Sequence, residues 1–175
     1  MKLYHYITKG NDALQKGILS FANNPNADLH YYYKRSGGKT THAEIVKWME
    51  SCFVGRSRAV RAFSEPIQWT DKSEKMFKTF TENADLFAID VVALENDGLL
   101  EAVYLSPALK PDLDKKLLQD VDEVLVKLNS LDDIDLSPVD WSVCDEGLGL
   151  RFAVVPYYLL VIKGGCIPPK YIEKV

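Results

Sequence analysis

Near the N-terminus, Leu3, Tyr4, His5, Tyr6 and Ile7 form a run of aromatic and branched side chains, the composition of a β-strand, and a polar turn follows at once. Asn11 stands where it can cap a short helix, and Gly17 ends that helix at a position suited to a left-handed backbone. Residues 21–39 are rich in Asn, Pro and Gly and read as a surface loop, interrupted by an aromatic cluster at Tyr31, Tyr32 and Tyr33.

Helical spacing appears next. Thr41 and Glu44 make a capping-box pattern, and Ile45, Met49, Cys52 and Phe53 then share one helical face, which makes Cys52 most simply a core residue. After Gly55, residues 59–64 predict a short strand ended by Pro66, and Asp71 and Glu74 open a helix through Met76, Phe77 and Phe80. The runs "LFAIDVVAL" and "LLEAVYLS" flank Asp97 and Gly98, a hairpin-turn dipeptide, and predict an antiparallel pair. From Pro111, the residues Leu113, Leu117, Val121, Val124, Leu125 and Leu128 recur at helical spacing among acids and lysines. "LRFAVV" and "YYLLVI" read as strands broken at Pro156, and a terminal helical turn begins at a proline. Strands and helices are mixed without the regular alternation of a doubly wound sheet, so the pattern is α+β, with no internal repeat and no linker to divide it.

At 175 residues, 47% hydrophobic and 26% charged, the chain is long enough for one core. The net charge of -4 lacks the footprint of a strong general nucleic-acid binder. The three cysteines, Cys52, Cys144 and Cys166, are odd in number and far apart, so neither a disulfide framework nor a metal cluster is indicated and a reducing cytoplasm fits best. "MKLYHYI" lacks the apolar core and cleavage site of a signal peptide, and no apolar run reaches membrane-spanning length.

Four groups of residues bear on chemistry. "GGKTT" matches the end of a phosphate loop, but the first glycine of that motif would fall on Tyr33, and the spacing refuses it. A cysteine nucleophile would need a histidine base, and no local signature joins any of the three cysteines to any of the three histidines. Arg56, Arg58 and Arg61 lie within six positions; they are either a solvated turn paired with the surplus acids or forked donors for paired phosphates. His5 shares a strand face with Leu3 and Ile7, where a neutral imidazole can sit in a core or offer its second nitrogen to a sugar hydroxyl.

Together, "LYHYITKGNDALQKGILS", "RAFSEPIQW" and "YYLLVIKGGCIPPKYIEKV" resemble, in their order, the ADP-ribosyltransferase-like superfamily. The likeness is to its divergent bacterial branches, including DNA-targeting toxins and phage-defence relatives. It rests on short pieces covering about a quarter of the chain.

This resemblance implies one domain over residues 1–175, with mainly antiparallel split sheets flanked by helices, and NAD as substrate without a metal. By the same likeness His5 would contact the adenosine side, Thr8 would shape the cleft, Arg56 or Arg61 would meet the pyrophosphate and Ser64 would support the nicotinamide ribose. The tyrosine-rich loop would cover the ligand. The chemistry implied is cleavage of the nicotinamide–ribose bond, with a carboxylate stabilising the oxocarbenium-like state, toward an acceptor the sequence does not identify. Where the family has a late-strand glutamate, this chain has Tyr158, and Glu65 and Glu146 stand as substitutes. The alternative is a catalytically inactive binding or interaction domain of the same fold.

Overall fold

The computed structural model describes residues 1–68, 75–106, 125–141 and 155–175. Its strands are β1 (Lys2–Thr8), β2 (Ile18–Leu19), β3 (Ala59–Ala62), β4 (Ala84–Asp90), β5 (Leu100–Ser106), β6 (Val126–Lys127), β7 (Tyr157–Ile162), β8 (Cys166–Ile167) and β9 (Ile172–Lys174). Its α-helices are α1 (Ala13–Lys16), α2 (His30–Tyr33), α3 (His42–Cys52), α4 (Lys75–Glu82) and α5 (Val91–Asn96). None of the described helices is long and apolar enough to cross a membrane.

The predicted first strand is β1, which pairs antiparallel with β4 along its whole length, from Lys2 opposite Asp90 to Thr8 opposite Ala84. Strand β9 adds to the far side of β4, giving the order β1-β4-β9. The continuous apolar run of residues 157–162 becomes β7, and all six of its residues are buried. Such a run needs cover on both faces, and β7 accordingly sits inside the antiparallel sheet β3-β7-β5-β6. The two sheets meet where Tyr4 and Phe63 exchange backbone hydrogen bonds of 2.8 Å in both directions. Leu3, Phe87, Ile89, Leu160, Ile162 and Ile167 form the main core, and Phe63, Ile67, Trp141, Tyr157 and Leu159 a second cluster.

The described residues are thus a mixed α+β arrangement of antiparallel sheets with few helices, as the sequence pattern implies. The capping box at α3 is present: Glu44 N–H donates to Thr41 Oγ1 at 3.3 Å, and Thr41 N–H to Glu44 Oε2 at 3.1 Å. Ile45 and Met49 are buried by that helix, but Cys52 is exposed, with its thiol toward the Trp48 carbonyl, which corrects its assignment to the core.

The expected hairpin at Asp97 and Gly98 does not form. Asp90 caps α5 by accepting from Ala93 N–H at 3.1 Å, Val91 and Leu94 turn one face inward, and Gly98 leaves the helix at φ +67°. The two apolar runs therefore enter different sheets. Val126 and Lys127 pair with Leu105 and Tyr104 as an edge strand, so the helix expected from Pro111 through Leu128 does not include them. The rest of that expected helix, the expected helix start at Asp71 and Glu74, and residues 150–154 of an expected strand lie outside the described residues.

Gly17 differs in kind from its expectation. Its φ of +88° comes with ψ of 179°, which is not the left-handed helical region, and a Cβ there would stand 2.2 Å from the Ile167 carbonyl oxygen. A glycine is required so that β2 can approach β8. Asn11 works from one position before the nominal cap: its Oδ1 accepts from Ala13 N–H at 3.1 Å, and its Nδ2 donates to the Thr8 carbonyl and to Asp85.

Candidate functional site

His5 sits mid-strand in β1, opposite Phe87, and its ring reaches across the seam between the sheets to the backbone of β3. Nδ1 lies 2.6 Å from the Arg61 carbonyl oxygen. A carbonyl only accepts, so Nδ1 carries the proton and Nε2 keeps its lone pair. Burial, with the Arg61 charge adding to it, pulls the imidazole down from 6.5 to about 4 against the stabilising backbone bond, so His5 is neutral at pH 7.

Arg61 itself points its guanidinium at an aromatic ring, 4.4 Å from the centre of Tyr157. Burial works against its charge, but the phenol oxygens of Tyr31, Tyr157 and Tyr32 more than offset this, and the guanidinium is held more firmly protonated than usual. Arg56, in a tight 3-10 turn after Gly55, lies 5.6 Å over Trp48 and 5.7 Å over Phe53.

These groups border one cleft of about 620 Å³, within the size range of small-molecule sites. His5, Thr8, Arg56 and Arg61 all line it. The loop expected over residues 21–39 contributes Tyr31 and Tyr32 from α2, Phe21 from a 3-10 turn, and Arg35. Two carboxylates border the cleft as well. Asp12 is ion-paired with Lys16 at 2.6 Å, and Asp28 accepts from His30 N–H at 2.9 Å.

Other expected site residues stand elsewhere. Ser64 and Glu65 are not among the residues lining the cleft. Glu65 Oε1 accepts from Val139 N–H at 3.0 Å and from the Trp141 indole at 2.5 Å, so it ties down the segment before residue 142. Glu146 and Cys144 lie outside the described residues. Arg58 turns away from the cleft to Glu101, 2.6 Å distant. Tyr158, which stands where an acid is expected, is 1% exposed; its hydroxyl donates to the Asp135 carbonyl at 3.2 Å and accepts from Asp135 N–H at 3.0 Å. Burial raises its pKa, so it remains a neutral pin between β7 and the segment at Asp135.

The described cysteines have no catalytic setting. The Cys166 thiol faces the Lys16 carbonyl at 3.4 Å, and burial raises its pKa, the opposite of what a nucleophile needs. His42 Nε2 donates to the Phe21 carbonyl at 2.8 Å, and its ring stacks on Phe21. Among the described residues, no group of three or more His, Cys, Asp and Glu is gathered as a metal site.

Sequence reasoning missed Asp12, Asp28, Arg35 and Tyr157 as neighbours of the site. Only Arg35 carried a signal: it follows Tyr31 by four residues, and on one helical turn its guanidinium comes to 4.9 Å from that ring. Comparison with known proteins adds no relative: no family model, no curated protein and no solved structure matches the chain.

Proposed function

We propose that this chain binds NAD, or a nucleotide built like it, in the cleft lined by His5 and Arg61. The observation that carries the reading is the convergence of a neutral histidine, cationic arginines and tyrosine rings on one cavity of dinucleotide-compatible volume. Each supplies a different kind of contact. Arg61 and Arg56 offer forked donors for phosphoryl oxygens, the Nε2 of His5 accepts from a ribose hydroxyl, and Tyr31, Tyr32 and Phe21 offer faces for a base. Thr8 shapes the rim at the end of β1.

In its enzymatic form the reading is a mono-ADP-ribosyltransferase or NAD glycohydrolase. The bond from ribose C1′ to nicotinamide breaks, nicotinamide leaves with the bonding electrons, and water or another acceptor adds to C1′ and loses a proton. A carboxylate beside C1′ would favour the cationic transition state. The toxin or phage-defence role and the cytoplasmic location belong to this reading and rest on the sequence resemblance.

A second reading, binding without turnover, is favoured by the side chains at the expected acid positions. Tyr158 is a buried phenol, and the carboxylate of Glu65 is engaged by Val139 and Trp141. Titration calorimetry with NAD, together with chromatographic detection of nicotinamide, separates the two. Binding with release, both lost in His5→Ala, supports the enzyme; binding without release supports the second reading; no binding at millimolar NAD overturns both.

A further inference from the structure

Three guanidinium groups line the cleft, those of Arg35, Arg56 and Arg61. Arg56 and Arg61 come from adjoining elements, the 3-10 turn and β3, and the nucleotide reading gives them the pyrophosphate. A pyrophosphate diester carries two negative charges, so a third cation exceeds what NAD itself presents. The carboxylates that border the cleft do not take up that surplus. Asp12 is paired with Lys16, and Asp28 is held at the head of α2 by His30 N–H, whereas Arg35 follows the other end of that helix. Among the described residues, no carboxylate lies within ion-pair distance of Arg35.

The place of Arg35 in the fold fixes which part of a ligand it would meet. Helix α2 brings Tyr31 and Tyr32 to the cleft, and just beyond it the Cζ of Arg35 lies 4.9 Å from the centre of the Tyr31 ring. Tyr31 meets Tyr32 edge-on at 4.8 Å, and Tyr32 meets Phe21 edge-on at 4.9 Å. The cation therefore belongs to the same arm as the rings offered to the base, and not to the strand that carries Arg61. Contact with a ring steadies a guanidinium without consuming any of its five N–H donors. Those donors suit a phosphate monoester, whose oxygens take a forked pair of bonds.

We propose that Arg35 makes the cleft a site for a dinucleotide phosphorylated on the ribose of its stacked base, the NADP form rather than NAD. The inference rests on the nucleotide reading and deepens it. Arg56 and Arg61 hold the pyrophosphate, and Arg35, beside the base, holds the extra phosphate on the ribose next to that base. Arg35 is thus a specificity-determining residue that discriminates by charge.

Titration calorimetry of the full chain with NADP and with NAD tests this in the wild type, in Arg35→Ala and in Lys34→Ala, the last removing a neighbouring exposed cation that does not line the cleft. The wild type should bind NADP about tenfold tighter than NAD, the order of one hydrogen bond between charged groups. Arg35→Ala should bring NADP down to the affinity of NAD and leave NAD itself unchanged, and Lys34→Ala should keep the preference. No preference in the wild type, or one that survives Arg35→Ala or falls equally in Lys34→Ala, overturns the inference. The nucleotide reading outlives that result if NAD still binds, and both fall if neither dinucleotide binds at millimolar concentration. NADP binding where NAD shows none sustains the inference and removes only NAD itself as the ligand.

Discussion

His5 makes stability depend on pH in a calculable way. Its folded-state pKa is about 4 and its ordinary value 6.5. The unfolded chain therefore takes up a proton before the folded chain does, and acid favours unfolding. The penalty is absent above pH 6.5, grows as pH falls toward 4, and is complete below that. A gap of about 2.5 between the two values corresponds to roughly 3 kcal/mol at the acid limit and about 2 kcal/mol by pH 5. Carboxylates held low by partners, among them Asp85 beside Lys174 and Asp97 beside Tyr171 and Lys170, also lose stability in acid, but they titrate identically in a variant at position 5. His5→Gln keeps an N–H able to reach the Arg61 carbonyl and does not titrate. Urea unfolding of both proteins near pH 7.5 and near pH 5 should show the wild type losing about 2 kcal/mol more than the variant. Parallel losses would refute the buried, neutral imidazole and with it the accepting Nε2.

Two other substitutions test the frame around the cleft. Gly17→Ala puts a Cβ 2.2 Å from the Ile167 carbonyl oxygen at a positive φ, so it should cost at least about 3 kcal/mol and lower the midpoint of thermal unfolding by about 6–12 °C; a loss under about 1 kcal/mol would mean that β2 and β8 are not held this close. Glu65→Ala strands two donors, Val139 N–H and the Trp141 indole, and should destabilise by about 2–4 kcal/mol, whereas Glu65→Gln keeps an acceptor and most of the stability. If NAD is turned over, folded Glu65→Gln should release nicotinamide at the wild-type rate, and abolished turnover with stability intact would make Glu65 catalytic rather than a tether.

What the sequence made legible follows the range of the interactions involved. The capping box at Thr41 and the six-residue run of β7 are local signals, and both are realised. The pair Asp97 and Gly98 is just as local, yet it misled, because a glycine after a helix and a glycine in a hairpin look alike in sequence. The deciding features were the cap at Asp90 and the i,i+3 pair Val91 and Leu94. Three-residue β9 is too short to show any period, and only its pairing with β4 defines it. In the site, alternation along β1 singled out His5, but the arginine cluster carried no such guide. Arg56 and Arg61 face the cleft while Arg58 turns to Glu101, a division made by the tight turn before β3.

The histidine and the arginine also share a structural task that bears on what any ligand does. His5 bonds to the backbone of residue 61, two positions from Phe63, whose paired bonds with Tyr4 join the two sheets. The cleft therefore lies on the seam of the fold rather than beside it. Filling it adds contacts to β1 and β3 together, and the unfolded chain offers no such pair of surfaces. By mass action a ligand at a hundredfold its dissociation constant then stabilises the fold by about 2.7 kcal/mol, whether or not it is turned over. Binding at this seam is thus measurable as stability even without chemistry, and the recognition half of the site needs no acid. On the proposed NAD reading, a carboxylate near C1′ decides only between holding the ligand and breaking it.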